Sequence, residues 1–90
     1  MADVHLQVSG KVQGVGFRWF VRMAGRRLQL AGWVRNMSDG TVEIAASGSE
    51  EKLDELRRVL RKGPDGAVVT EVTDLDLVGE VLEFPFAMRK

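Results

Sequence analysis

Gly10, Gly14 and Gly16 fall within seven residues, and Arg18 follows two positions later. The stretch they punctuate is Val8-Ser9-Gly10-Lys11-Val12-Gln13-Gly14-Val15-Gly16-Phe17-Arg18. Before it, Val4, Leu6 and Val8 alternate with His5, Gln7 and Ser9, the period-2 pattern of a half-buried strand. After it, Phe17, Phe20, Val21, Ala24 and Leu28 recur at helical spacing. A strand, a glycine-rich turn and a helix N-terminus make backbone N–H groups converge, which is chemistry for holding an anion. Arg18 in the first helical turn strengthens that reading. The N-terminal end of a helix is electropositive, so a cation there is unfavourable until an anion arrives to meet it.

A second helical segment, residues 49–62, serves as an internal control. Its apolar stripe is Leu53, Leu56, Val59 and Leu60. Glu50 and Glu51 open it, and Arg57, Arg58, Arg61 and Lys62 close it, which is the order the helix dipole prefers. The first helix carries four arginines and no acid between Phe17 and Leu30, with Arg18 at the unfavourable end. Breaches of a local rule are expected where function imposes them. Arg22, Arg26 and Arg27 read as the solvated face of that helix. Gly25 inside it costs about 1 kcal/mol relative to Ala, with no compensation evident in the sequence.

Composition bounds the rest. Ninety residues predict one domain, residues 1–90, with ordinary apolar (44%) and charged (29%) fractions for a folded chain. The net charge of zero argues against a surface built for long nucleic acids. Residues 1–38 nevertheless hold six basic residues against one acid, and residues 39–90 seven against twelve. A basic first half around a glycine loop suits a small anionic ligand, or else simply matches the acidic half. There is no cysteine, which excludes disulfides, thiolate metal sites and thiol nucleophiles. No apolar run approaches a membrane span, and the N-terminus lacks the pattern of a signal peptide, so the cytoplasm is the expected location. His5, the one histidine, is expected to be solvated, without a carboxylate partner or a metal.

The remaining elements must place the loop. Gly32–Met37 reads as a second strand and Thr41–Ala46 as a third, joined by the turn signal Ser38-Asp39-Gly40. Gly63-Pro64-Asp65-Gly66 stops the second helix. A fourth strand is predicted from about Val68 to Leu77, with a bulge or an irregular start, because Val69, Val72 and Leu75 do not share parity. Leu82, Phe84, Phe86 and Met88 alternate as a last strand, at an edge because Pro85 cannot donate to a ladder. The order β-α-β-β-α-β predicts an α+β, ferredoxin-like sandwich, with two helices on one face of a mostly antiparallel sheet. The first two strands are then parallel, and their C-terminal ends share an edge. Asn36, on the parity of Val34, therefore lies near Gly10 on the helix-covered side. There it either holds a water beside the anion site or forms the turn before Ser38-Asp39-Gly40.

Gly10-Lys11-Val12-Gln13-Gly14-Val15-Gly16-Phe17-Arg18, followed by Gly32-Trp33-Val34-Arg35-Asn36 and Asp39-Gly40-Thr41-Val42-Glu43, closely resembles the acylphosphatases over essentially the whole chain, including the penultimate Arg89. The resemblance implies a ferredoxin-like fold and hydrolysis of carboxyl–phosphate anhydrides without metal or cofactor. It implies that Arg18 and the loop amides of Lys11, Val12, Gln13, Gly14, Val15, Gly16 and Phe17 hold the phosphoryl group, and that Asn36 orients the attacking water. A small acyl phosphate is the implied partner, with no nucleic acid and no membrane, and a monomer is expected. Three positions depart from the family's usual pattern. Met37 stands where a Thr frequently follows the asparagine, Gln29 replaces a Gly between two leucines, and Lys90 replaces a terminal aromatic. If position 29 needs a positive φ, Gln costs about 1 kcal/mol there.

Two other classes share this element order. An RNA-binding module needs exposed aromatics on the open sheet face. Phe17, Phe20, Phe84 and Phe86 all fall on apolar stripes, and only Trp33 has outward parity. A phosphate-sensing or carbamoyl-phosphate-handling domain of a larger enzyme is disfavoured because the chain supplies its own final strand.

Overall fold

The alternation at Val4, Leu6 and Val8 produces a long strand, β1 (Ala2–Lys11), whose Leu6 and Val8 are wholly buried. The computed structural model describes residues 1–90. After β1 come α1 (Phe17–Arg27), β2 (Ala31–Asn36), β3 (Val42–Gly48), α2 (Glu50–Lys62), β4 (Val68–Asp74) and β5 (Ala87–Met88). The sheet runs in the order β4-β1-β3-β2-β5. β3 lies between β1 and β2 and is antiparallel to both, so β1 and β2 are parallel and end at the same edge, as predicted. β4 is antiparallel to β1, and β5 is parallel to β2.

Both helices bury their apolar stripes in one cluster. Phe17, Val21 and Ala24 of α1 and Leu53, Leu56 and Leu60 of α2 meet Leu6, Val8, Val34, Val42, Ile44 and Ala46 of the sheet. This is the two-layer, ferredoxin-like arrangement expected from the order of elements. The predicted bulge is present. Pairing steps from Ser9↔Glu71 to Gly10↔Val69, so Thr70 is extra, and Val69 and Val72 both pack on the core despite opposite parity. At Gly10 the backbones approach so closely that a Cβ would lie 2.1 Å from the Val68 carbonyl oxygen.

The C-terminal part departs most from expectation. β4 stops at Asp74, and the last strand is only Ala87–Met88 rather than a run from Leu82. The chain has to travel from β4 at one edge to β5 at the other, and it crosses the face that the helices leave open. The Leu75 amide donates to the His5 carbonyl (2.7 Å), the Trp33 indole to Glu80 (2.8 Å), and the Gly32 amide to the Glu83 carbonyl (2.9 Å). This strap corrects three sequence expectations. Trp33 has outward parity but is only 4% exposed, because the strap covers it. His5 is not a solvated, unpartnered side chain: Nδ1 donates to the Asp76 carbonyl, and Nε2 pairs with Glu43. Phe84 is 64% exposed rather than on a buried stripe, since only Phe86 reaches the helix side of the sheet. Phe86 also explains Gly25, for a Cβ there would lie 2.4 Å from its ring. The helix-propensity cost is offset by seating an aromatic ring against bare backbone.

At the end of α1 the Leu30 amide donates to the Gly25 carbonyl (2.9 Å) and the Gln29 amide to that of Arg26 (3.1 Å). This closure requires a left-handed residue between them, and Gln29 adopts φ 56. A glycine would take that conformation without the steric cost.

Candidate active site

Two valines decide how the loop between β1 and α1 presents itself. Val12 is buried in the core and Val15 packs against it, which turns the intervening backbone outward. Gly14 and Gly16 are exposed, with φ of 76 and 75, conformations that residues bearing a Cβ rarely adopt. The Gln13 side chain reaches the other way. Its Nε2 donates to the carbonyls of Met37 and Thr41, both at 2.8 Å, and ties the loop to the hairpin between β2 and β3.

The outcome is an open helix end. Gly16 caps α1 without any side-chain hydrogen bond, and the first turn contains no acid. The amides from Gln13 through Trp19 have no protein acceptor; Phe20, donating to the Gly16 carbonyl at 3.0 Å, is the first that does. Arg18 stands among these donors. Its Nη1 donates to the Arg89 carbonyl (2.9 Å), which aims the guanidinium and leaves its other N–H groups free of protein acceptors.

Asn36 closes the site from the sheet. It ends β2 opposite Val42, on the helix side, and its Oδ1 is buried with no hydrogen-bond partner. A buried amide oxygen without a donor costs about 1–3 kcal/mol, so its position calls for an explanation outside the fold. The hairpin that carries Asn36 is tightly built. The Met37 amide donates to Thr41 (2.8 Å), and Asp39 Oδ1 accepts from the Thr41 hydroxyl (2.6 Å) and amide (3.0 Å). Those bonds, the hydroxyl's first, hold the Asp39 carboxyl below its usual pKa.

These parts enclose a pocket of about 250 Å³. Six of the sequence-predicted residues or their neighbours in the loop line it: Val12, Gly14, Gly16, Phe17, Arg18 and Asn36. Lys11, Gln13 and Val15 do not; Lys11 is exposed at the end of β1, Gln13 braces the hairpin, and Val15 faces the core. Trp19 and Met88 complete the walls, and no carboxylate is among them. Neither was singled out from sequence. Trp19 lies off the buried stripe of α1, which was a usable signal, whereas Met88 arrives only because β5 pairs with β2. The Arg89 carbonyl that aims Arg18 is a backbone group and leaves no trace in a residue pattern. Arg89 itself is held by its amide on the Val34 carbonyl (2.8 Å) and by its guanidinium over Trp33, 4.6 Å from the ring centroid.

The other polar cluster lies on the opposite face of the sheet. Glu43, 7% exposed, accepts from Arg35 Nε (2.5 Å) and pairs with His5. Burial pushes its carboxyl pKa up, but the hydrogen bonds and charges of Arg35 and His5 outweigh that and hold it below the usual value.

A pocket lined by Gly14, Gly16 and the Arg18 guanidinium, at a helix N-terminus of a ferredoxin-like sandwich, places the chain in the class of small two-layer α+β domains and has the chemistry to suit an anion. Residues 4–83 match the family model described as Acylphosphatase. The chain is 53% identical over 73 residues to a protein named Acylphosphatase from Koribacter versatilis, spanning 81% of this chain and 66% of that one. It is 49% identical to the Acylphosphatase of Bacillus velezensis, spanning 81% of each. The crystal structure of acylphosphatase from Bacillus subtilis superposes over all of both chains, with a TM-score of 0.88 at 36% identity. The chain belongs to the acylphosphatase family, hydrolases whose family name implies cleavage of acyl phosphates. No helix is long and apolar enough to cross a membrane.

Proposed function

We propose that this chain, acting as a single domain and without a cofactor, hydrolyses a small acyl phosphate with Arg18 and the loop amides holding the phosphoryl group and Asn36 directing the water. The observation that carries this is the set of amides from Gln13 through Trp19, unclaimed by the protein, in the stretch whose Gly14, Gly16, Phe17, Arg18 and Trp19 line one pocket with Asn36. The planar guanidinium fork matches two phosphoryl oxygens, and preorganised N–H groups stabilise charge there without reorganising. Asn36 Oδ1, buried and unpaired, accepts from a water and turns its lone pair towards phosphorus. The water oxygen–phosphorus bond forms as the bond from phosphorus to the acyl oxygen breaks, and that electron pair leaves with the carboxylate. Both water protons end on the phosphate, one after transfer to a phosphoryl oxygen. The carboxylate is a good leaving group, so positioning and electrostatics suffice without a strong protein base.

The test is turnover of benzoyl phosphate. Arg18→Ala and Asn36→Ala should each lower kcat by a factor on the order of 10²–10³, as removal of one preorganised donor does elsewhere. Arg18→Ala should also weaken competitive inhibition by inorganic phosphate, and Asn36→Ala much less. Circular dichroism should show both variants folded. A wild-type chain that turns over no acyl phosphate would sink the proposal.

A further inference from the structure

The phosphoryl cradle accounts for one end of an acyl phosphate; the other end must also lie against something. The acyl group is joined to phosphorus through a single oxygen, so it has to leave the cradle through the pocket mouth. Of the apolar residues lining the pocket, Val12 and Phe17 are spent in the core. Trp19 and Met88 are not: they are 53% and 40% exposed. Trp19 sits one residue beyond Arg18 on α1, and Met88 comes from β5, so the two approach the cradle from different elements. The Arg22 guanidinium stacks 4.5 Å from the centroid of the Trp19 ring, which holds the indole in place while half of its surface stays free. A large aromatic, held but uncovered at the mouth of a polar pocket, is a surface for a flat apolar group.

We infer that Trp19, assisted by Met88, receives the acyl group and makes this chain selective for acyl phosphates with an aromatic or other bulky apolar acyl end over those as small as acetyl. This inference rests on the proposed phosphoryl site. An acetyl methyl is too small to cover the indole, whereas a benzoyl ring can lie against it and remove apolar surface of both from water. Trp19 is thereby a specificity-determining residue, distinct from the phosphoryl-holding role of Arg18.

The experiment compares kcat/KM for benzoyl phosphate and acetyl phosphate in the wild type, Trp19→Ala, Trp19→Phe and Met88→Ala. The wild type should favour benzoyl phosphate. Trp19→Ala should cut that preference about tenfold, mainly through KM for benzoyl phosphate, in line with the discrimination of a modest apolar contact. Trp19→Phe should retain most of the preference because it keeps a flat ring, and Met88→Ala should lose a smaller part of it. Inhibition by inorganic phosphate, which has no acyl end, should not follow the same trend. A wild type active on both substrates, with a ratio that Trp19→Ala leaves in place, overturns this inference while the phosphoryl site stands. A wild type active on neither overturns both. If the ratio holds but Trp19→Ala changes the molecular mass by light scattering, the indole belongs to a contact between copies of the chain, and the inference fails.

Discussion

The two helices begin in opposite ways. α2 is closed by its own residues: Ser49 has an extended backbone, its side chain accepts from the Lys52 amide (3.3 Å), and Glu50 and Glu51 face the positive end of the dipole. α1 starts from a left-handed glycine, has neither cap nor acid, and adds a cation in Arg18. Both ends belong to the same sandwich, so the difference is not one of burial or helix length. A terminus built only for stability looks like that of α2. The contrast recurs across the sheet, where the Glu43 carboxylate is fully claimed by Arg35 and His5 while Asn36 Oδ1 on the other face has no partner. Asn36 lines the pocket that the loop carrying the free amides also lines, and Arg22 Nε, outside that pocket, is the other buried side-chain polar atom without a partner.

The sharpest way to break this comparison is to give the start of α1 the acid that α2 has. Gly16→Asp puts a carboxylate beside Arg18 and the free amides, with a backbone cost of about 1 kcal/mol for a side chain at φ 75. It should lower acyl phosphate turnover at least a hundredfold by occupying the site from within, while circular dichroism and chemical denaturation show a folded chain. Retained turnover would mean that the open helix end is not where the anion goes.

An intermediate effect is expected on the claimed side. Glu43→Gln removes the charge that Arg35 and His5 share, and thermal unfolding near pH 7 should show a lower Tm with acyl phosphate KM little changed. The pH dependence has a definite sign. Because the Glu43 carboxyl pKa is depressed in the folded protein, its contribution is full above the unfolded-state value, about 4.3. The contribution is lost as pH falls from there through the lower folded value. The Tm gap between wild type and Glu43→Gln should therefore narrow on going from pH 6 to pH 3. A gap that stays constant would assign the effect to packing instead of charge.

The smallest change tests the control. Ser49→Ala removes the α2 cap and should cost about 1 kcal/mol, lowering Tm by roughly 4–8 °C in a chain of this size. Turnover should be unaffected, because the pocket draws nothing from α2.

Much of this was legible in the residues. The helical stripe of α2 and its charge order are local matters, and they appear where the pattern puts them. The Arg18 anomaly was visible for the same reason, since the dipole rule that it breaks operates within one turn. The left-handed residue at position 29 could be stated as a condition, and the structure meets it with Gln29 at φ 56. The C-terminal third was read poorly because period-2 alternation records only the parity of a strand, not what crosses over it. Trp33 and His5 do point away from the helices, but the strap from Leu75 to Glu83 covers them. Gly25 was opaque for a related reason: the ring of Phe86 that occupies its missing side chain lies 61 residues further along the chain.

The sequence by itself determined the elements, their order, the glycine loop with its misplaced arginine, and the parity that sends Asn36 to the helix side. These follow from interactions within a turn, a strand or a β-α-β crossover, whose geometry is nearly the same in every protein. Only the tertiary structure decided which amides stay free, that Asn36 Oδ1 is buried unpaired, that the Arg89 carbonyl aims Arg18, and that Trp19 and Met88 frame the mouth. Those outcomes depend on where distant segments come to rest against each other. Arg89 and Arg18 are 71 residues apart, and nothing short of the packed chain brings a carbonyl from one to the guanidinium of the other.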